Sequence, residues 1–100
     1  MKTTFKEENN DYVMYFEGRL DTAVAPTVEK ELEPLSNCSG HDIILECSKL
    51  DYISSSGLRL FLGVLKKAKA VGSHVYIKGL SNDIRSVFTM TGFINLFEFK

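Results

Sequence analysis

Between Asp42 and Lys78 the sequence carries a short apolar run, a polar junction, a helical apolar period and a second short apolar run. Ile43, Ile44, Leu45 and Cys47 form a stretch of the kind that occupies a buried parallel strand. Leu58, Phe61, Leu62, Leu65, Ala68 and Val71 then step by three or four and define one face of a helix. Lys66, Lys67 and Lys69 form its solvated side and last-turn partners of the helix dipole. Gly72 stops that helix at the position where a left-handed residue is preferred, and His74 to Lys78 alternates as a strand does. A strand, a helix and a strand in this order form a crossover between parallel neighbours, right-handed in nearly all cases. The fold class is therefore α/β.

The remaining segments fit around that unit. Thr3 to Glu7 and Asp11 to Glu17 read as an opening hairpin about the turn-prone Glu8-Asn9-Asn10. The near-continuous apolarity of Tyr12 to Phe16 predicts an inner strand. Gly18 to Thr22 reads as a loop, in which Asp21 or Thr22 caps a helix over Ala25 to Ser36. Val24, Val28, Leu32 and Leu35 are its inward stripe; Pro26 is tolerated in the first turn, and Pro34 ends or kinks the helix. Asn37 to Gly40 is a turn, and Lys49 to Tyr52 a connection after the central strand. Ser81 caps a third helix over Asn82 to Met90, with Ile84, Val87 and Phe88 inward, closing at Gly92. Phe93 to Phe99 supplies a turn and an edge strand. The expectation is a single domain with a mixed four- to five-stranded β-sheet and helices packed on one face.

Composition narrows the function. One hundred residues with 44% hydrophobic and 25% charged side chains make one globular domain. A formal net charge of -1 gives no general attraction to nucleic acid, so partners must be recognised locally. The first residues lack the apolar segment of a signal peptide, and no run approaches the roughly 18 to 20 apolar residues that span a bilayer. A cytoplasmic location without membrane insertion is expected. Cys38 and Cys47 match neither a disulfide framework nor a zinc pattern and are expected to be reduced thiols. There is no Gly-x-Ser-x-Gly elbow, no phosphate-binding Gly-x-x-x-x-Gly-Lys-Ser/Thr string and no His-Glu-x-x-His pair, which argues against catalysis, nucleotide hydrolysis and a metal site.

One motif remains. Ile53-Ser54-Ser55-Ser56-Gly57-Leu58 places three hydroxyls and a glycine between strand and helix. One hydroxyl suffices to cap a helix, whereas three put side-chain oxygens beside the free N–H groups of a helix N-terminus, a setting suited to an anion or to phosphorylation.

With Gly18-Arg19-Leu20-Asp21, with Ile43 to Leu50 running into the serine motif, with Gly72 before a strand and with Val87-Phe88-Thr89-Met90-Thr91-Gly92-Phe93, the chain resembles the STAS domain over almost its whole length. Within that family it is most similar to the stand-alone anti-sigma factor antagonists of bacteria. The resemblance implies that Ser55 is a phosphoacceptor; the residue before it, an aspartate in the family pattern, is Ser54 here. It implies a binding switch and no enzyme activity or cofactor. Unmodified, the domain would hold an anti-sigma factor with serine kinase activity and release a sigma factor; phosphorylated, it would let go until a serine phosphatase resets it. The expected partner-binding residues are Arg19, Asp21, Thr22, Ser54, Ser55, Ser56, Gly57 and Arg59. Two other expectations are a small STAS accessory subunit of a membrane transporter complex acting without phosphorylation, and binding of a nucleotide or small anion at the serine motif.

Overall fold

The computed structural model describes all residues, 1–100. Five strands alternate with three α-helices: β1 (Lys2–Glu8), β2 (Asp11–Leu20), α1 (Ala25–Glu31), β3 (Ile43–Ile53), α2 (Ser55–Ala70), β4 (Val75–Lys78), α3 (Asn82–Met90) and β5 (Glu98–Phe99). They form one sheet in the order β1-β2-β3-β4-β5. The first pair is antiparallel and the other three are parallel. β3 is central and β2 internal, as their apolarity predicts.

Alternation along the strands assigns the two faces of the sheet. Met14 and Phe16, Ile43, Leu45 and Cys47, and Val75 and Ile77 are all buried toward the helices. Tyr15, Glu46 and Lys78 point to the other face, which no helix covers. Phe61 of α2 packs between Phe16 and Phe88, with ring centroids 5.1 and 6.2 Å away. The expected placement of all helices on one face of the sheet therefore holds.

Local signals mark most boundaries. Ser81 Oγ accepts the Ile84 N–H at 3.3 Å as the N-cap of α3. Gly72 and Gly92 follow their helices at φ 77° and 79°, where a side chain would be strained. The hairpin turns at Asn9 and Asn10, both at positive φ, as a two-residue turn between twisted strands requires.

Two expectations are corrected, and the break expected at Pro34 is found. Gly18 to Leu20 are not loop but the end of β2: Gly18, at φ 102°, accommodates a register shift, and pairing with β3 continues to Leu20. Lys49 to Tyr52 likewise belong to β3, because β2 supplies partners as far as Ile53. The first helix ends at Glu31, and Glu33–Ser36 forms a separate 3₁₀ turn, since Pro34 cannot donate the next helical hydrogen bond. On α2 the buried stripe includes Val64, while Leu62 is half-buried and Val71 is exposed just past the helix end.

Cys38 and Cys47 are both free and fully buried. The Cys47 thiol lies 3.6 Å from the Leu45 carbonyl oxygen, and burial, reinforced by the Glu46 carboxylate, holds its pKa far above the usual thiol range. The unfolded chain ionises Cys47 near pH 9 and the folded chain does not, so stability conferred by this thiol is present below pH 9 and declines above it. Neither thiol is expected to react with an aromatic disulfide reagent in the native protein, and both in urea. Rapid native labelling would contradict this burial.

Two glycines of α2 make a second test. A Cβ on Gly57 would sit 2.8 Å from both Ile53 Cγ1 and Leu20 Cγ, whereas one on Gly63 would meet nothing within 4 Å. Gly57→Ala should destabilise the domain by about 1–3 kcal/mol through overpacking. Gly63→Ala should stabilise it by about 0.5–1 kcal/mol by stiffening the helix. Opposite shifts of the urea midpoint at unchanged slope are the expected reading.

Candidate functional site

The serine motif sits where β3 ends and α2 begins. Ile53 closes the apolar strand and Ser54, extended at φ -89° and ψ 173°, is the N-cap. Its Oγ accepts the Gly57 N–H at 3.2 Å, its carbonyl accepts the Leu58 N–H at 2.9 Å, and its own N–H donates to the Leu20 carbonyl at 2.9 Å. Ser54 is thus only 9% exposed and fully committed to structure. The three hydroxyls are not equivalent: Ser55 is exposed at the first helical position, Ser56 is half-buried, and Gly57 is buried against Leu20 and Ile53.

The Ser54–Leu20 hydrogen bond brings the end of β2 beside the start of α2. The chain leaves β2 through Asp21 and Thr22. Asp21 is not the helix cap expected from the sequence. α1 starts at Ala25, its N-cap Val24 making no side-chain cap bond, and Asp21 instead braces the preceding turn, its Oδ1 accepting the Val24 N–H at 3.1 Å and its carbonyl the Ala25 N–H at 3.1 Å. Thr22 is exposed and shares with Pro26, Glu29, Ser56, Arg59 and Leu60 the lining of a surface depression of about 330 Å³. A smaller hollow of 150 Å³ shares Glu29, Arg59 and Leu60 and runs on over Gly63 toward Lys67. Together they form a furrow along the seam of α1 and α2 that opens at the serine motif.

Arg19 does not join this group. It is an exposed strand residue opposite Tyr52, and its guanidinium lies 4.3 Å from the centroid of the Tyr52 ring. Tyr52, 40% exposed, forms an aromatic platform beside the motif that the sequence does not single out, since it reads there as part of a connection. Glu29 is the other residue gained; it looks like any solvated helix charge until α1 is docked. Arg59 lies four residues after Ser55, hence on the same side of α2 one turn along.

The site can accept an anion at one end. Helical geometry leaves the N–H groups of Ser55 and Ser56 without intrahelical acceptors, and the α2 dipole favours negative charge there.

The STAS domain family model matches residues 2–100. The putative anti-sigma factor antagonist BtrV of Bordetella bronchiseptica is 31% identical over 97 residues, covering 97% of this chain and 84% of that protein. The anti-sigma-B factor antagonist of Staphylococcus epidermidis is 34% identical over 79 residues, covering 79% of this chain and 73% of its own. Among solved structures, an anti-sigma-factor antagonist (STAS) domain protein from Planctomyces limnophilus superposes with a TM-score of 0.88 at 14% identity, over 98% of this chain and 87% of that one. The phosphorylated form of the Bacillus cell fate determinant SpoIIAA superposes with a TM-score of 0.73 at 20% identity, over 99% and 91%. The sheet order, the capped serine motif and matches that span nearly the whole chain agree: this protein belongs to the STAS domain family, alongside the anti-sigma factor antagonists.

Proposed function

We propose that the protein is an anti-sigma factor antagonist whose partner binding is switched by phosphorylation of Ser55. The observation that carries this reading is the division of labour in the serine motif. Ser54 makes the structural hydrogen bonds, which leaves Ser55 exposed at a helix N-terminus with its hydroxyl free to be modified. The two curated relatives bear the anti-sigma factor antagonist name, and one of the similar folds is recorded in a phosphorylated form.

In this reading the unmodified domain binds an anti-sigma factor with serine kinase activity, so that a sigma factor is released. The kinase transfers a phosphate to Ser55 and a serine phosphatase removes it. The domain is substrate and ligand, not catalyst. Its contact surface is the Asp21–Thr22 turn, the serine motif and the exposed side of α2 with Arg59, flanked by Arg19 on Tyr52.

The energetics separate folding from binding. A phosphate on Ser55 adds about -1.5 to -2 charges where the helix dipole favours them by roughly 0.3–1 kcal/mol, so the fold is not threatened. Arg59, one turn along, is placed to pair with the phosphate and is then less available to a partner. Covering an extra dianion at an interface without a new cation is costly, and about 3 kcal/mol already lowers affinity a hundredfold. Ser54, in the place of a carboxylate, keeps the hydrogen-bonding role of a cap but adds no charge beside the phosphate.

Binding is best measured by calorimetry against a purified anti-sigma factor of the serine-kinase class from the same organism. Ser55→Ala is expected to bind it constitutively and Ser55→Glu at least about tenfold more weakly. Intact mass after coexpression with that kinase should show one phosphate on wild type and none on Ser55→Ala. Equal affinity for both variants, together with an unmodified wild type, would remove Ser55 from the mechanism and favour an accessory subunit acting without phosphorylation.

A further inference from the structure

The sheet has two edges of unequal kind. β5 is only two residues long, whereas β1 runs for seven residues with no strand on its outer side. The hairpin geometry identifies which backbone groups of β1 are unpaired. Glu8 and Asp11 flank a two-residue turn and so exchange hydrogen bonds, as do every second pair after them: Lys6 with Val13, Thr4 with Tyr15 and Lys2 with Glu17. The same parity follows from the other side of β2, where the Tyr12 N–H donates to the Asp42 carbonyl at 2.9 Å and so points toward β3. The N–H and C=O groups of Thr3, Phe5 and Glu7 therefore point outward, away from the sheet.

We infer that this edge pairs with the same edge of a second copy of the chain, antiparallel about a two-fold axis through Phe5, giving a weak, concentration-dependent dimer. The register follows from charge. Centred on Phe5, Lys2 faces Glu8 of the other copy twice, Thr3 faces Glu7, and Thr4 faces Lys6; the outward groups of Thr3, Phe5 and Glu7 all meet partners. Sliding by one step of the same parity sets Lys2 against Lys6, or Lys6 against itself, and loses hydrogen-bonded pairs at the end. In the centred register Lys6 approaches its own copy only diagonally, and its ammonium already lies over the Tyr15 ring, 5.5 Å from the centroid. Phe5 is 38% exposed and packs edge-on against Tyr12 at 5.3 Å, so the axis brings two aromatic rings together on the helix-bearing face.

Charged residues normally protect an edge from such addition. Here their order, Lys2 at one end and Glu8 at the other, opposes non-self strands of random charge and favours an inverted copy of itself. A single strand pair is smaller than a permanent interface, so association belongs in the weak range. Lys2 lies toward the serine-motif end of β2 and Glu8 at the far end, so the two copies would present their Ser55 sites at opposite ends of a joint sheet, both free.

The test is sedimentation equilibrium from about 10 μM to about 1 mM, with amide exchange on the same samples. The expected result is an average mass rising toward the dimer, with added protection at high concentration at the Thr3, Phe5 and Glu7 amides and not at Lys6 or Thr4, and weakening by salt. Glu8→Lys should loosen the dimer about tenfold, and the double exchange Lys2→Glu with Glu8→Lys should restore it to within about threefold of wild type. Monomer mass over the whole range overturns the proposal. So does a dimer whose Thr3, Phe5 and Glu7 amides stay unprotected, which needs no variant to fold, or one that the double exchange fails to restore.

Discussion

The hydrogen bond from the Ser54 N–H to the Leu20 carbonyl fixes the one place where β2, β3 and α2 meet. It closes the pairing of β2 with β3 at its last step, and it sets the first residue of α2 against the turn that leads to α1. Gly57 makes that approach feasible: with no Cβ, the first turn of α2 lies on Leu20 and Ile53 at contact distance. The rest of the helix is then directed over the sheet, so that Phe61 falls between Phe16 and Phe88 and Leu65 and Ala68 are buried in the core. Loosening this junction would move the helix that fills the core and the surface that carries the exposed serine together.

That coupling explains why three neighbouring serines take different roles. A side chain that caps a buried helix start must satisfy a backbone donor, and Ser54 does so with the Gly57 N–H. The next residue begins the helix and projects outward, so Ser55 is exposed by the same geometry that buries its neighbour. Modification one position earlier would break the cap; one position later it would meet the half-buried wall of α1 and α2. Of the three serines, Ser55 alone is exposed, and it stands at the helix start where the backbone favours negative charge.

Local chemistry was legible in the sequence, and pairing was not. The Ser81 cap, the left-handed Gly72 and Gly92, the break at Pro34 and the Asn9-Asn10 turn each follow from one or two residues and their neighbours, and each stands as the sequence predicts. Gly18 to Leu20 and Lys49 to Tyr52 carry turn-like or mixed composition and yet are strand, because each supplies the other's partners across a register shift. Distant pairing overrode local preference. The same limit applied to the site: Ser55 and Arg59 were visible as a motif, but Arg19 turning onto Tyr52, and Glu29 joining Arg59 along the helix seam, depend on which elements lie side by side. The reason for Gly57 was hidden too, since only the packed Leu20 and Ile53 side chains reveal it.

The uncovered face of the sheet shows how a small domain keeps its functions apart. All helices, and therefore the furrow and the serine motif, are drawn to one face and one end by the apolar alternation of β2, β3 and β4. The opposite face holds polar and aromatic side chains that satisfy one another: Tyr15 with Glu8 and Lys6, His74 with Glu98 at 3.2 Å, and Lys100 over Tyr76 at 4.3 Å. These surface pairs add little to stability. They do keep the rings of Tyr15 and Tyr76 covered, while backbone donors remain unpaired at the start of α2 and along the β1 edge. The first is the place proposed for a phosphate and the second the edge proposed for another strand, and the two belong to different elements, α2 and β1.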